Sequence, residues 1–101
     1  MPINTTIGFD FDDATVSSTA LSLVDVGFTQ AEVDQADRAR ITVATQAIRY
    51  RYDGGAPTAS LGHLAAADTS FVIEGNQNIQ QLKLIRATGA DGAVSVTLEK
   101  L

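Results

Sequence analysis

Apolar and polar residues alternate along most of this chain with a period of two, the pattern of strands that bury one face. Near the start, Ile7, Phe9 and Phe11 alternate with Gly8, Asp10 and Asp12, which predicts a strand with its three large residues on the buried side. Ala14–Val26 is rich in Val, Thr, Ser and Leu, but its parity shifts after Val16 and again at Val24/Val26. Two short strands with a bend are expected there. Ile41, Val43 and Thr45 keep odd parity, whereas Ile48, Tyr50 and Tyr52 keep even parity. A slip of one residue exchanges the faces of a strand, so a turn or bulge is expected across Ala44–Ala47. The same parity places Tyr50 and Tyr52 on the core side with Ile48, and Arg49 and Arg51 outside, exposed or paired with carboxylates.

Asp53-Gly54-Gly55 is a turn signal, and Pro57 excludes a central strand. Thr58–Leu61 reads as a short edge strand and Gly62–Asp68 as a loop. Thr69–Glu74, with Phe71-Val72-Ile73 at its centre, reads as a strand buried on both sides, followed by a turn at Gly75–Asn78. Gln81–Ala87 and Ala93–Lys100 read as strands joined in a hairpin at Asp91-Gly92. In the last strand Val94, Val96 and Leu98 point inward and Ser95, Thr97 and Glu99 outward.

One segment has helical chemistry. Thr29 and Glu32 stand at the spacing of a capping box, with Phe28 and Val33 at the positions of a hydrophobic staple. Asp34 and Arg38 are spaced as an i,i+4 ion pair. A helix of two to three turns over Gln30–Arg38 is predicted, too short to stand without a sheet beneath Val33 and Ala36. The fold class that follows is mainly β: a small antiparallel β-sandwich, jelly-roll-like, with one short helix. Residues 1–13 are expected to be an extended N-terminal arm and 14–101 a single β-sandwich domain.

Composition narrows the function classes. A chain of 101 residues, 45% of them hydrophobic and 19% charged, fits one packed domain rather than a disordered segment. With no cysteine there is neither a disulfide framework nor a thiolate metal site. The net charge of −5 opposes broad attraction to nucleic acid or to an anionic membrane surface. No apolar run approaches the roughly 18 residues of a membrane-spanning helix. Met1-Pro2-Ile3-Asn4-Thr5-Thr6 lacks the basic start of a signal peptide, so synthesis in the host cytoplasm is expected. The charge is also uneven. Residues 1–37 hold seven acids and no base, leaving five acids and seven bases in the remainder.

Chemistry-bearing residues are few. His63 is the only histidine; Asp68 follows five residues on, but no nucleophile signature accompanies them. Asp10, Asp12 and Asp13 resemble part of a calcium loop, yet Phe11 and Ala14 interrupt the alternating oxygen ligands such a loop needs. Arg49-Tyr50-Arg51-Tyr52 mixes basic and aromatic residues, but on a strand the two types face opposite ways, whereas stacking on bases needs them together. Gly54-Gly55 lacks the Gly-Lys-Ser/Thr ending of a phosphate loop. No catalytic residue, metal or cofactor is expected. A sugar-binding sandwich is a competitor in fold, opposed by the absence of tryptophan and by two tyrosines both read as inward.

From about Val16 to Leu101 the chain resembles small accessory proteins of tailed-phage and prophage structural modules. The residues that carry the resemblance are Gly27-Phe28-Thr29 before the short helix, Ile48-Arg49-Tyr50-Arg51-Tyr52-Asp53-Gly54, and Ala56-Pro57-Thr58-Ala59-Ser60-Leu61-Gly62-His63. Val72-Ile73-Glu74-Gly75, Asn78-Ile79, Leu84-Ile85-Arg86 and the Val94–Glu99 strand complete it. The resemblance implies a non-enzymatic virion protein, foremost a capsid decoration (cement) protein on the head surface, with neck or tail accessory proteins as the alternative. It implies the major capsid protein and other copies of the chain as partners, in a homotrimer. Outside the resemblance, Ile7, Phe9, Asp10, Phe11, Asp12 and Asp13 are the candidate partner-binding residues. They read either as an arm that adds to a neighbour's sheet edge or as the edge strand of their own sandwich.

Overall fold

The computed structural model describes residues 6–101; the first five residues of the expected arm lie outside this range. Among the described residues, eight strands form two antiparallel sheets. They are β1 (Ile7–Val16), β2 (Leu21–Ser22), β3 (Arg38–Ala44), β4 (Ile48–Arg51), β5 (His63–Ala65), β6 (Ser70–Glu74), β7 (Lys83–Arg86) and β8 (Gly92–Lys100). Their orders are β1-β8-β3-β6 and β2-β7-β4-β5, the strand order of an eight-stranded jelly roll. The mainly β sandwich read from the sequence is therefore the fold.

The core lies between the sheets. Val94, Val96 and Leu98 of β8 meet Ala39, Ile41 and Val43 of β3 in register, all six fully or almost fully buried. Ile48 of β4 and Leu84 of β7, with Leu82 just before β7, close the layer from the other side. The parity break between β3 and β4 is real: Thr45 adopts φ 68°, and the Gln46 amide donates to the Ala44 carbonyl at 2.9 Å.

Among the described residues, three short helices replace the one expected: α1 (Leu23–Val26), α2 (Gln30–Gln35) and α3 (Asn76–Gln81). α2 carries the capping box of Thr29 and Glu32, with both reciprocal bonds made. It is shorter than predicted because Ala36 is already extended and Arg38 opens β3. The Asp34–Arg38 pair is consequently not formed. Asp34 accepts from Gln30 Nε2 (2.9 Å) and Gln80 Nε2 (2.7 Å), while Arg38 turns to Glu74 and Glu99. α1 has a second capping box, Ser22 with Asp25, in a stretch read as strand. α3 occupies the expected turn at 75–78. Asn76 Nδ2 reaches the carbonyls of Val33 (2.9 Å), Asp34 (3.1 Å) and Ala36 (2.8 Å), capping the C-terminal end of α2.

Other expectations are corrected. Asp91-Gly92 makes no hairpin, because β7 and β8 belong to different sheets and the chain crosses the sandwich between them, with Gly92 already opening β8. Thr58 and Leu61 bond only to each other across a tight turn; the edge strand is β5, inside the expected loop. β6 is an edge strand, so Ile73 is buried whereas Phe71 and Val72 are half-buried. No boundary exists at residue 13: residues 7–13 run unbroken into Ala14–Val16 as β1, paired with β8 of the same chain from Ile7↔Lys100 to Val16↔Gly92.

Candidate functional site

The register of β1 decides what its residues present. The pairing shifts between Gly8 and Asp10, so Phe9 is the extra residue of a bulge, and parity reverses across it. Phe9 packs partly on the core with Lys100 Nζ 4.8 Å above its ring. Ile7 and Phe11 are exposed, contrary to the expected buried face. Asp10 and Asp12 instead share the side of Ala14 and Val16, and Asp13 points outward. The inward carboxylates are tolerated because they meet the chain leading into α2 rather than the apolar core. Asp12 lies against Gly27, whose φ of 146° and lack of a side chain leave it room. Asp10 shares a hydrogen bond with Glu32, which raises the pKa of Asp10 and lowers that of Glu32, itself also held by the Thr29 amide.

The three aspartates thus divide between two faces, and among the described residues no group of three or more carboxylates or imidazoles is placed to hold a metal ion. The six residues singled out in the sequence, Ile7, Phe9, Asp10, Phe11, Asp12 and Asp13, lie on one edge of the sandwich, with their charges outward or against α2.

Sequence reasoning missed the opposite flank. Tyr50 of β4 stacks on Phe71 of β6 with ring centroids 4.2 Å apart and planes within 9°. That stack ties the β4–β5 margin of one sheet over β6 of the other. His63, the register partner of Tyr50, sits 5.3 Å from its ring and 5.8 Å from that of Tyr52. The even parity of Ile48, Tyr50 and Tyr52 was legible, but β4 ends at Arg51, and Tyr52, just beyond it, is exposed. His63 therefore belongs to an aromatic cluster, with Arg51, Tyr52 and Asp53 lining a shallow open pocket beside it.

The two arginines of this region are largely structural. Arg51 Nε and Nη2 donate to Asp53 Oδ1 (3.0 Å) and Oδ2 (2.7 Å); this fork holds the Asp53 carboxyl down to about 2. Arg49 donates to the carbonyls of Ala59 (2.9 Å) and Gly62 (3.0 Å), which fastens the 56–62 loop across the outside of β4 and covers Ile85. Leu61 and Leu64 remain exposed next to it.

No protein-family model, curated protein or solved structure matches this chain.

Proposed function

We propose that this chain is a non-enzymatic structural protein of a tailed-phage virion, a decoration protein that binds the outside of the head shell beside the major capsid protein and other copies of itself. The observation that carries the reading is the jelly-roll strand order of the two sheets, an architecture found among viral capsid domains and also among lectins and cupins. A fold alone does not fix a function. The resemblance of residues 16–101 to phage accessory proteins selects the virion among these, and a rigid sandwich with exposed edges suits attachment to a shell.

The test is quantitative mass spectrometry of purified virions, paired with addition of the protein to undecorated shells. A copy number comparable to the capsid protein, and shells that resist heat better after addition, are the expected results. A copy number far below that of the capsid protein moves the chain to the neck or tail, and absence from the virion overturns the reading.

A second reading, a carbohydrate-binding module, is favoured by one observation: Tyr52 is exposed next to His63 at the rim of the sandwich. Aromatic side chains with a polar tip suit a partner with one apolar and one hydrated face. An oligosaccharide array probed with the native protein and with Tyr52→Ala tests it; binding lost in the variant supports this reading, and an array blank for both ends it.

A further inference from the structure

Tyr52 stands between two concavities. In the one it shares with Arg51, Asp53 and His63, the guanidinium and the carboxylate are paired with each other, so their bonding capacity is taken up. The other is a cleft between the end of β4 and the edge strand β6, lined by Tyr50, Tyr52, Val72, Ile73, Glu74 and Asn78. Its volume of about 240 Å³ lies below the ~300 Å³ at which pockets for drug-sized ligands begin, which suits a single ring.

The cleft joins an aromatic wall to polar atoms that have no partner among the described residues. The rings of Tyr50 and Tyr52 lie 6.4 Å apart with planes within 20°. Phe71 covers one face of Tyr50, whereas Tyr52 is exposed. Asn78 Nδ2 donates to the Glu74 carbonyl at 2.9 Å, which fixes the amide and leaves its Oδ1 to accept. Glu74 Oε1 meets Arg38 Nη1 at 3.4 Å, and Oε2 remains an acceptor. The backbone of Val72 adds a donor. Gly75 N–H donates to the Asp37 carbonyl at 2.9 Å, and Ile73 is the register partner of Ala39. Residues 73 and 75 thus turn their backbone groups to β3, and Val72 between them turns its own to the open edge.

We infer that this cleft binds one neutral pyranose ring of a saccharide. The inference deepens the carbohydrate reading above, on which it rests, by naming the site and the class of sugar. A pyranose has an apolar C–H face and a rim of hydroxyls, and a tyrosine offers the matching combination of apolar ring and polar tip. Sugar hydroxyls donate to Glu74 Oε2 and Asn78 Oδ1 and accept from Val72 N–H. A cation is the other ligand that aromatic rings and a carboxylate take. Here the Glu74 charge is already answered by Arg38, and what remains is capacity to accept hydrogen bonds. An acidic sugar finds no cation among the lining residues and meets the Glu74 carboxylate instead.

The test titrates the isotope-labelled full chain with the methyl glycosides of glucose, galactose and mannose, and with methyl glucuronide as the acidic probe, followed by amide NMR shifts. A neutral glycoside is expected to move the signals of Tyr52, Val72, Glu74 and Asn78 to saturation, and the glucuronide to leave them in place. Tyr52→Ala and Asn78→Ala are each expected to weaken binding about tenfold, and Tyr52→Phe to retain most of it. Native amide dispersion in the free variants shows that each is folded. Binding that shifts Arg51, Asp53 and His63 instead, or that survives Asn78→Ala undiminished, overturns this site and leaves the carbohydrate reading standing. Glucuronide binding as tight as that of the neutral glycosides overturns the class of sugar. If no glycoside binds while an oligosaccharide array is positive, the single-ring site falls alone; if the array is blank as well, both fall.

Discussion

Arg38 and Glu99, register partners on β3 and β8, are joined by an Nε–Oε1 hydrogen bond of 2.6 Å, and the same carboxylate oxygen accepts from Thr6 Oγ1 at 2.8 Å. The Arg38 guanidinium also reaches Glu74 at 3.4 Å, so one side chain links three strands of the sheet, β3, β8 and β6. These bonds, that from Arg38 foremost, hold the Glu99 carboxyl below its ordinary value.

A depressed acid contributes stability that is present above its unfolded pKa and lost as pH falls through its folded pKa. Glu99→Gln is therefore expected to destabilise the protein most at neutral pH, with the difference from wild type shrinking as pH falls below the ordinary value of 4.5. Urea midpoints measured across this range check it. A pH-independent difference contradicts it.

Asp10 has the opposite sign. Its pKa is raised, chiefly by the hydrogen bond it shares with Glu32, so its favourable contribution is present in acid and lost as pH rises through its folded value. Asp10→Asn supplies a donor to Glu32 at every pH and removes the repulsion. The variant is expected to be more stable than wild type at neutral pH and to converge with it in acid, again by urea midpoint.

The two capping boxes make a graded prediction. Thr29→Ala and Ser22→Ala each remove an N-cap acceptor and are expected to cost about 1 kcal/mol. Val96→Ala, at a position with no exposed surface, is expected to cost about 2 kcal/mol or more through the lost burial and the cavity left behind. Denaturant melts that rank a cap substitution above Val96→Ala contradict this assignment of core and cap.

Asn76 is the strongest local test of how α3 holds α2. Asn76→Asp keeps the size of the side chain but removes the donor that serves three carbonyls and sets an anion before them. A loss of about 1–3 kcal/mol is expected, larger than that for Gln77→Ala on the exposed side of the same helix.

What the sequence disclosed follows the range of each interaction. The Thr29–Glu32 box is complete within four residues, so its chemistry is readable from letters alone. Ser22–Asp25 uses the same chemistry, but Val24 and Val26 beside it have the look of a strand, and periodicity overrode the cap. Asn76 could not be read, because the carbonyls it serves belong to another helix far back in the chain. For β1 the period of two was legible, whereas the bulge at Phe9 that turns Phe11 out and Asp12 in has no marker in the sequence. Asp91-Gly92 reads as a hairpin, yet Gly92 opens β8, and whether two successive strands pair in one sheet or cross to another depends on the whole sandwich. Ile7, Phe9, Asp10, Phe11, Asp12 and Asp13 were legible as one strand through their alternation, while the side each faces was not. The exposure of Leu61 and Leu64 was not legible either, since it depends on the 56–62 loop being fastened across the outside of β4.

The position of β8 between β1 and β3 has a consequence for how the protein is made. As the chain leaves the ribosome from its N-terminal side, β1 and β3 emerge long before the strand that separates and joins them. Neither can take its native partner in this sheet until Gly92–Lys100 is free, apart from the β3–β6 pair. Closing β1 onto β8 also spans almost the full length of the fold, the kind of non-local pairing that slows folding. Assembly of this sheet thus waits for β8, and a nascent chain that has not yet extended that strand presents two unpaired strand edges rather than a smaller version of the domain.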